Sequence, residues 1–230
     1  MTDLTKQLTP DILAQYFDHT QLKPYATVED FQKLCEESRR YHFKMVAINP
    51  APVALCKELL KGSGVLVGAA IGFPLGQTTK VIKRAESIDA IENGSDEIDY
   101  VINITQLKNK NYAFIEEEMA GVVEACRTRG VTSKVIFENC FLTDDEKTEL
   151  CRIALNVRPD FIKTSTGFGT GGATFEDVAL MKKMVGDKIK VKAAGGIRTL
   201  ETALKMIELG VERIGSTSSV SIVEDFIKTL

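Results

Sequence analysis

Short apolar runs rich in β-branched residues recur along the chain, and each is followed by a stretch with the 3.6-residue period of an amphipathic helix. The runs fall at Tyr16–His19, Phe43–Asn49, Val65–Gly72, Glu97–Asn103, Lys134–Asn139, Phe161–Thr164, Ile189–Ala194 and Arg213–Ser216. Four of the intervening stretches open on helix-start signals. Thr27-Val-Glu-Asp30 has the form of a capping box before a helix reaching Arg40, and Thr143-Asp-Asp-Glu146 repeats it before Leu150–Leu155. Thr174-Phe-Glu-Asp177 precedes Val178–Met184, and Thr199-Leu-Glu-Thr202 precedes Ala203–Leu209, with Gly210 as the stop.

About eight strand–helix units in a chain of 230 residues predict a single-domain (β/α)8 TIM barrel. No Pro-rich linker, low-complexity stretch or charge block divides the chain, so one domain over residues 1–230 is expected. The rival is a doubly wound open sheet, which would need fewer strands for this length. It would also carry a Gly-rich turn after its first strand, and Asp18-His-Thr-Gln21 is not one.

In a barrel, alternate strand residues face the packed interior, and chemistry collects at the C-terminal ends of the strands. Three candidate strands carry an ionisable group where an apolar one belongs. Asp99 interrupts the apolar run of the fourth strand, Lys163 shares a face with Phe161 on the sixth, and Lys192 sits opposite Val191 and Ala193 on the seventh. One such lysine alone would read as a strand-end charge or a structural ion pair. An Asp and two Lys all projecting inward read as a site, because buried charge is costly unless paired and perturbed groups cluster where function is.

Two adjacent lysines permit a particular chemistry. A neutral amine attacks a carbonyl and forms a Schiff base, but a lysine is mostly protonated at its reference pKa of about 10.4. Desolvation, or a second ammonium beside it, disfavours the charged form and supplies the nucleophile at neutral pH. Asp99 would pair with the cation and shuttle protons through water.

Glycines supply the other half of the candidate site. Gly167-Phe-Gly-Thr-Gly-Gly172 follows the Lys163 strand, Gly195-Gly196 follows the Lys192 strand, and Gly215-Ser-Thr-Ser218 leads into a final short helix. Loops after the last strands, closed by a helix N-terminus, form the usual phosphate site of such barrels. A lone Gly-Gly is usually a turn. Two such loops beside the lysines favour a phosphorylated carbonyl substrate.

The composition is that of an ordinary globular protein, 44% hydrophobic and 27% charged. A net charge of −3 argues against a nucleic-acid partner bound through bulk positive charge. Five scattered cysteines without a C-x-x-C pair fit a reducing compartment. The polar start is no signal peptide, and no apolar run approaches the roughly 20 residues of a membrane span, so a cytoplasmic protein with no membrane partner is expected. There are two histidines, His19 and His42, without a metal-ligand spacing, so neither a metal nor an organic cofactor is implied. His19 reads as a satisfied core histidine, and Cys140 and Cys151 as buried small hydrophobes rather than nucleophiles.

At these residues the sequence resembles the deoxyribose-phosphate aldolase family of class I aldolases. The likeness runs nearly end to end, through Asp18-His-Thr-Gln-Leu-Lys-Pro24, Ile71-Gly-Phe-Pro-Leu-Gly76, Asp96-Glu-Ile-Asp-Tyr-Val-Ile-Asn103, Lys163-Thr-Ser-Thr-Gly-Phe168 and Val191-Lys-Ala-Ala-Gly-Gly-Ile-Arg198. The resemblance implies a TIM barrel that reversibly cleaves 2-deoxy-D-ribose 5-phosphate to acetaldehyde and D-glyceraldehyde 3-phosphate. It implies Lys163 as the Schiff-base lysine, Lys192 as the lysine that lowers its pKa, and Asp99 as a proton donor and acceptor. Asp18 and Thr20 match polar residues at the barrel mouth. Gly167, Gly195, Gly196, Gly215, Thr217 and Ser218 match phosphate-binding positions, and a homodimer is the family-based expectation.

Several positions depart from the commonest pattern. Ala47 stands where many relatives carry a cysteine, so resistance to alkylation by unsaturated aldehydes is expected. Thr217 replaces a common serine and keeps the hydroxyl, while Asn139 and Gly169 differ from common choices and bear on substrate preference. Two other readings stay open: a Schiff-base barrel enzyme for another phosphorylated sugar, and a catalytically silent sugar-phosphate-binding regulator. The lysine pair disfavours the second, since a binding module has no need of a nucleophile.

Overall fold

A computed structural model of the protein describes residues 8–230. Eight parallel strands close into a barrel in sequence order: β1 (Phe17–Gln21), β2 (Met45–Ile48), β3 (Leu66–Ile71), β4 (Glu97–Val101), β5 (Thr132–Ile136), β6 (Phe161–Lys163), β7 (Lys190–Ala194) and β8 (Arg213–Ser216). The helices are α1 (Pro10–Ala14), α2 (Val28–Tyr41), α3 (Val53–Leu59), α4 (Lys80–Glu92), α5 (Ile104–Lys108), α6 (Tyr112–Arg127), α7 (Asp144–Val157), α8 (Phe175–Val185), α9 (Leu200–Glu208) and α10 (Ser219–Ile227). The single-domain (β/α)8 barrel expected from the apolar runs is the fold observed.

The caps explain where the helices start. Thr27 with Asp30, and Thr143 with Glu146, form complete capping boxes at α2 and α7. Thr174 accepts from the amide of Asp177, but the Asp177 carboxylate is drawn away to Lys147, 2.5 Å distant, so half of that box is missing. At α9 the third residue is Thr202, which offers a hydroxyl instead of a carboxylate.

Outward-facing strand residues, among them Val46, Ile48, Val67, Ile71, Ile98, Tyr100, Ile162, Val191 and Ile214, are buried against the helices and make the main core. The inward set is small on one side, with Ala47, Gly68 and Ala70 on β2 and β3. It is charged on the other. Met45 fills the space over Gly68, where a Cβ would lie 2.4 Å from its sulfur.

The N-terminal rim of the barrel is tied by acids that sit just before alternate strands. Asp96 accepts from the amide of Val67 at 2.9 Å, Asp160 from that of Ser133 at 2.8 Å, and Glu212 from that of Val191 at 2.8 Å. Lys57 and Lys182 neutralise Asp96 and Glu212 at 2.6 and 2.7 Å. Between α4 and α6 the fully buried Lys83 donates to the carbonyl of Val101 and to Glu118, both at 2.7 Å, and Glu118 accepts from the amide of Asn103. That pair fixes the chain as it leaves β4 directly above Asp99.

Asp96→Ala orphans a strand amide and a lysine at the rim remote from the cavity described below. It should cost about 1–3 kcal/mol in urea unfolding while leaving the kinetic constants within error. A parallel fall in turnover would show that the rim and the opposite face are not independent.

Candidate active site

The lumen of the barrel is a buried electrolyte. Asp18, Glu97 and Asp99 project inward from β1 and β4, and Lys134, Lys163, Lys192 and Arg213 project inward from β5, β6, β7 and β8. All seven are at most 5% exposed. Ions so removed from water persist only where each finds a partner, and here each does. Arg213 reaches Asp18 at 2.5 Å and forks onto Glu97 at 3.0 and 3.3 Å. Lys134 bridges Glu97 and Asp99.

Asp99 is the hub. Its Oδ2 accepts from both Lys163 at 2.8 Å and Lys192 at 2.7 Å, while Oδ1 accepts from Lys134 at 2.7 Å. Lys192 also lies 2.5 Å from Asp18. The strand register makes this arrangement: Lys163 and Lys192 are direct partners across β6 and β7, so both side chains leave the sheet on the same face at the same height.

Three carboxylates face four cationic groups, so full ionisation would leave one excess positive charge in the lumen. The proton that leaves most easily is that of Lys163. Burial pushes its pKa down, the Lys192 and Lys134 ammonium groups push the same way, and Asp99 only partly opposes them, leaving it at about 8. Burial is therefore the larger influence and Lys192 the next in that direction. Lys134 behaves oppositely: burial would lower it, but Asp99, Glu97 and Asp18 hold it well above the ordinary lysine value. Burial would raise Asp99, yet the three ammonium groups keep it well below the usual carboxylate range. The same lumen thus lowers the pKa of the Lys163 amine to about 8 and raises that of Lys134.

Above this network, at the C-terminal ends of the strands, opens a cavity of about 260 Å³. Lys163 and Lys192 form part of its floor, and Thr20, Gly167, Gly195, Gly196, Gly215 and Thr217 line it, as does Ala47. Asp99 lies beneath, touching the cavity only through the lysines. Asp18, expected at the barrel mouth, is instead fully buried below the floor between Arg213 and Lys192. Ser218 is at the start of α10, outside the lining; its amide donates to Ser216, which does line the cavity.

The glycines let two loops meet backbone to backbone. A Cβ on Gly172 would lie 2.3 Å from the carbonyl oxygen of Gly195, and Gly195 itself has φ +86°, a left-handed conformation that disfavours side chains. Ala173 seals the contact by donating to the carbonyls of Ala194 and Gly195. The result is a glycine-lined wall with the side chains of Lys23 and Arg198 at the rim.

Lys134, Glu97 and Arg213 were missed as members of the site. Their signal is the same alternation that marks Lys163, but Glu97 and Arg213 open their strands and Lys134 opens the apolar run read from the sequence, although β5 itself begins at Thr132, and a charge at such a start reads as solvent-facing. Cys140 is half-exposed beside Glu138, contrary to the buried position expected for it, because the chain leaves β5 there; Cys151 is buried as expected. His19 is buried on the outer face of β1, paired through Nε2 with Glu37 at 2.9 Å, with Nδ1 unpartnered. Among the described residues no group of three His, Cys, Asp or Glu side chains is placed to hold a metal ion.

Residues 12–218 match the profile of the DeoC/LacD family aldolases. A deoxyribose-phosphate aldolase of Lactobacillus acidophilus is 56% identical over 93% of this chain and 90% of its own length. One from Bacteroides thetaiotaomicron is 52% identical over 98% of this chain and 95% of its own. Among solved structures, the deoxyribose phosphate aldolase of Aeropyrum pernix, described as a unique tetramer, superposes with a TM-score of 0.89 at 30% identity, covering 96% of this chain and 94% of its own. Fold, paired lysines and relatives agree, and the chain belongs to the DeoC/LacD family of aldolases.

Proposed function

We propose that the protein is a class I aldolase that reversibly cleaves 2-deoxy-D-ribose 5-phosphate to acetaldehyde and D-glyceraldehyde 3-phosphate, with Lys163 as the Schiff-base lysine. The observation that carries this is the buried amine of Lys163, level with Lys192 across β6 and β7 and sharing one Asp99 oxygen with it, at the floor of a cavity whose opposite wall is glycine backbone; burial and the neighbouring ammonium groups lower the pKa of that amine to about 8. The reaction itself is the one named in the curated relatives.

The steps follow from that geometry. The neutral amine of Lys163 adds to the aldehyde carbon of the open-chain sugar, and loss of water gives an iminium. The hydroxyl on the third carbon gives up its proton, the bond between the second and third carbons breaks, and its electron pair moves into the iminium. D-Glyceraldehyde 3-phosphate departs and a neutral enamine remains on Lys163. Protonation of the enamine carbon and addition of water release acetaldehyde and regenerate the amine. Asp99, which touches both lysines through one oxygen, and Lys192 serve with a water as the proton relay.

The substrate phosphate is assigned to the wall made by Gly167, Gly195, Gly196, Gly215, Thr217 and the Ser218 end of α10. Amides and hydroxyls suit a phosphate there, and Arg198 at the rim adds charge. Thr20 lines the side facing the sugar, while Asp18 acts from below by holding Lys192. No described helix is long and apolar enough to cross a membrane. Unpaired cysteines and a phosphorylated substrate support a cytoplasmic enzyme, and the net charge gives no support for a nucleic-acid partner. A homodimer is the proposed assembly, supported by exposed Leu75, Val81 and Ile82 near the start of α4.

Two outcomes are expected. Borohydride reduction in the presence of acetaldehyde should leave an ethyl group on the peptide holding Lys163, and Lys163→Ala should lose both this adduct and turnover of deoxyribose 5-phosphate. An active folded wild type that yields no adduct would overturn the imine mechanism. Lys192→Met removes a repelling ammonium and leaves Asp99 freer to hold a proton on Lys163. The alkaline-rising limb of kcat/KM, expected near pH 8 in the wild type, should therefore move to higher pH. An unmoved limb would contradict the role given to Lys192.

A further inference from the structure

Glu138 is a buried acid that the reaction above does not use. It follows β5 in a left-handed backbone conformation, φ 58° and ψ 60°, which a non-glycine residue adopts at a cost. Two hydrogen bonds on either side hold the strand end in register with β6: Phe137 donates to the carbonyl of Lys163 at 3.0 Å, and Asn139 to that of Thr164 at 2.9 Å. The left-handed turn between them aims the Glu138 side chain at the loop that follows Lys163.

Both carboxyl oxygens are engaged there, and by the same residue. Oε1 accepts from the amide of Thr166 at 3.0 Å, and Oε2 accepts a short bond from its hydroxyl. The Thr166 hydroxyl in turn accepts from the amide of Phe168 at 3.0 Å. The carboxylate thus sets Thr166 by two bonds and Phe168 by a third, with Gly167, at φ +86°, held between them. Phe168 is braced from the other side by an edge contact with Phe73, ring centres 5.3 Å apart.

This segment is the partition between two cavities. Thr166, Gly167 and Phe168 line the cavity above Lys163, while Phe168 and Gly169 line a neighbouring one of about 490 Å³, in which Glu138 also lies. Glu138 does not line the first cavity, so it can act on a substrate there only through the partition. Gly169 is explained by the same packing: a Cβ would fall 2.6 Å from the Cys140 sulfur and 3.3 Å from Glu138 Cδ.

We propose that Glu138 is a positioning residue for substrate binding, its carboxylate fixing Thr166 and so holding the Thr166–Phe168 segment as the phosphate-side wall of the cavity. This rests on the aldolase reading and deepens it. The wall is on the phosphate side because Gly167 and Gly172 both pack on Gly195, where the phosphate is assigned. Lys163 itself is set by the strand, through its register with Lys192 and the bond from the Thr164 amide to the Lys192 carbonyl. Loosening the wall therefore disturbs the grip on phosphate while leaving the imine chemistry in place.

The test compares the wild type, Glu138→Gln, Thr166→Val and the double variant on deoxyribose 5-phosphate and on deoxyribose without phosphate, with borohydride trapping of acetaldehyde in parallel. Glu138→Gln keeps one acceptor and loses the other, so KM for the phosphorylated sugar should rise about tenfold with kcat within about twofold. Its kcat/KM for the unphosphorylated sugar and the pH profile of trapping should match the wild type. Thr166→Val cuts the same link, and the double variant should lose no more on the phosphorylated sugar than the worse single one. Equal losses on both sugars, a fall in kcat alone, additive losses or full activity would overturn the assignment. Should Glu138→Gln fail to fold, Thr166→Val on the two sugars decides it by the same split. A wild type that traps acetaldehyde but leaves deoxyribose 5-phosphate intact would overturn the reaction and this assignment with it.

Discussion

One carboxylate, that of Asp99, holds three ammonium groups in a space without bulk water. Every other feature of the lumen answers to that crowding. Glu97 and Asp18 supply the remaining negative charge, Arg213 ties them to each other, and the total still falls one charge short of neutrality. A barrel interior built from Val, Ile and Leu would have been easier to stabilise, since buried ion pairs seldom outdo well-packed apolar residues. What the ionic lumen provides is an amine that is basic enough to be nucleophilic and yet gives up its proton at about pH 8, well below an ordinary lysine.

The fold divides this work between its two ends. At the N-terminal rim, acids before β4, β6 and β8 bind the amides of neighbouring strands and hold the closed sheet. At the C-terminal end the loops are released from that duty. The glycines after β6 and β7 bring backbone close to the lysines, and the partly exposed rim residues face the incoming substrate. A buried lysine–glutamate pair under the end of β4 and the Glu138–Thr166 link beside β6 join the rigid strands to these loops.

Much of this was legible in the sequence. The strand order followed from eight apolar runs, and the strand bounds moved by only a few residues. Asp99, Lys163 and Lys192 stood out because each put a charge inside an apolar run, Asp99 and Lys192 in mid-strand and Lys163 at the end of β6. Lys134 and Arg213 follow the same rule, but Arg213 opens its strand and Lys134 was the first residue of the run as drawn, and a charge at a strand start looks solvated. Only closure of the barrel puts them inside. Asp18 stands level with the cavity-lining Gly215 in the register of β1 against β8, but its carboxylate turns down to Lys192 and Arg213 and is fully buried between them, which the strand pattern alone does not show. Glu138 gave no pattern at all. Its role depends on a left-handed dihedral and on the path of the next loop, neither of which is written in hydrophobic periodicity.

The central claim is that the lumen, through burial and one unbalanced positive charge, sets the amine of Lys163 apart from its neighbours. The most direct measurement is an NMR titration of lysine side chains labelled with ¹³C at Cε in the unliganded enzyme, with Lys163→Ala and Lys134→Met used to assign the resonances. A Lys163 transition near pH 8, with Lys134 still protonated above pH 10.5, is the result this account predicts. A Lys163 resonance that titrates with the ordinary surface lysines would contradict it.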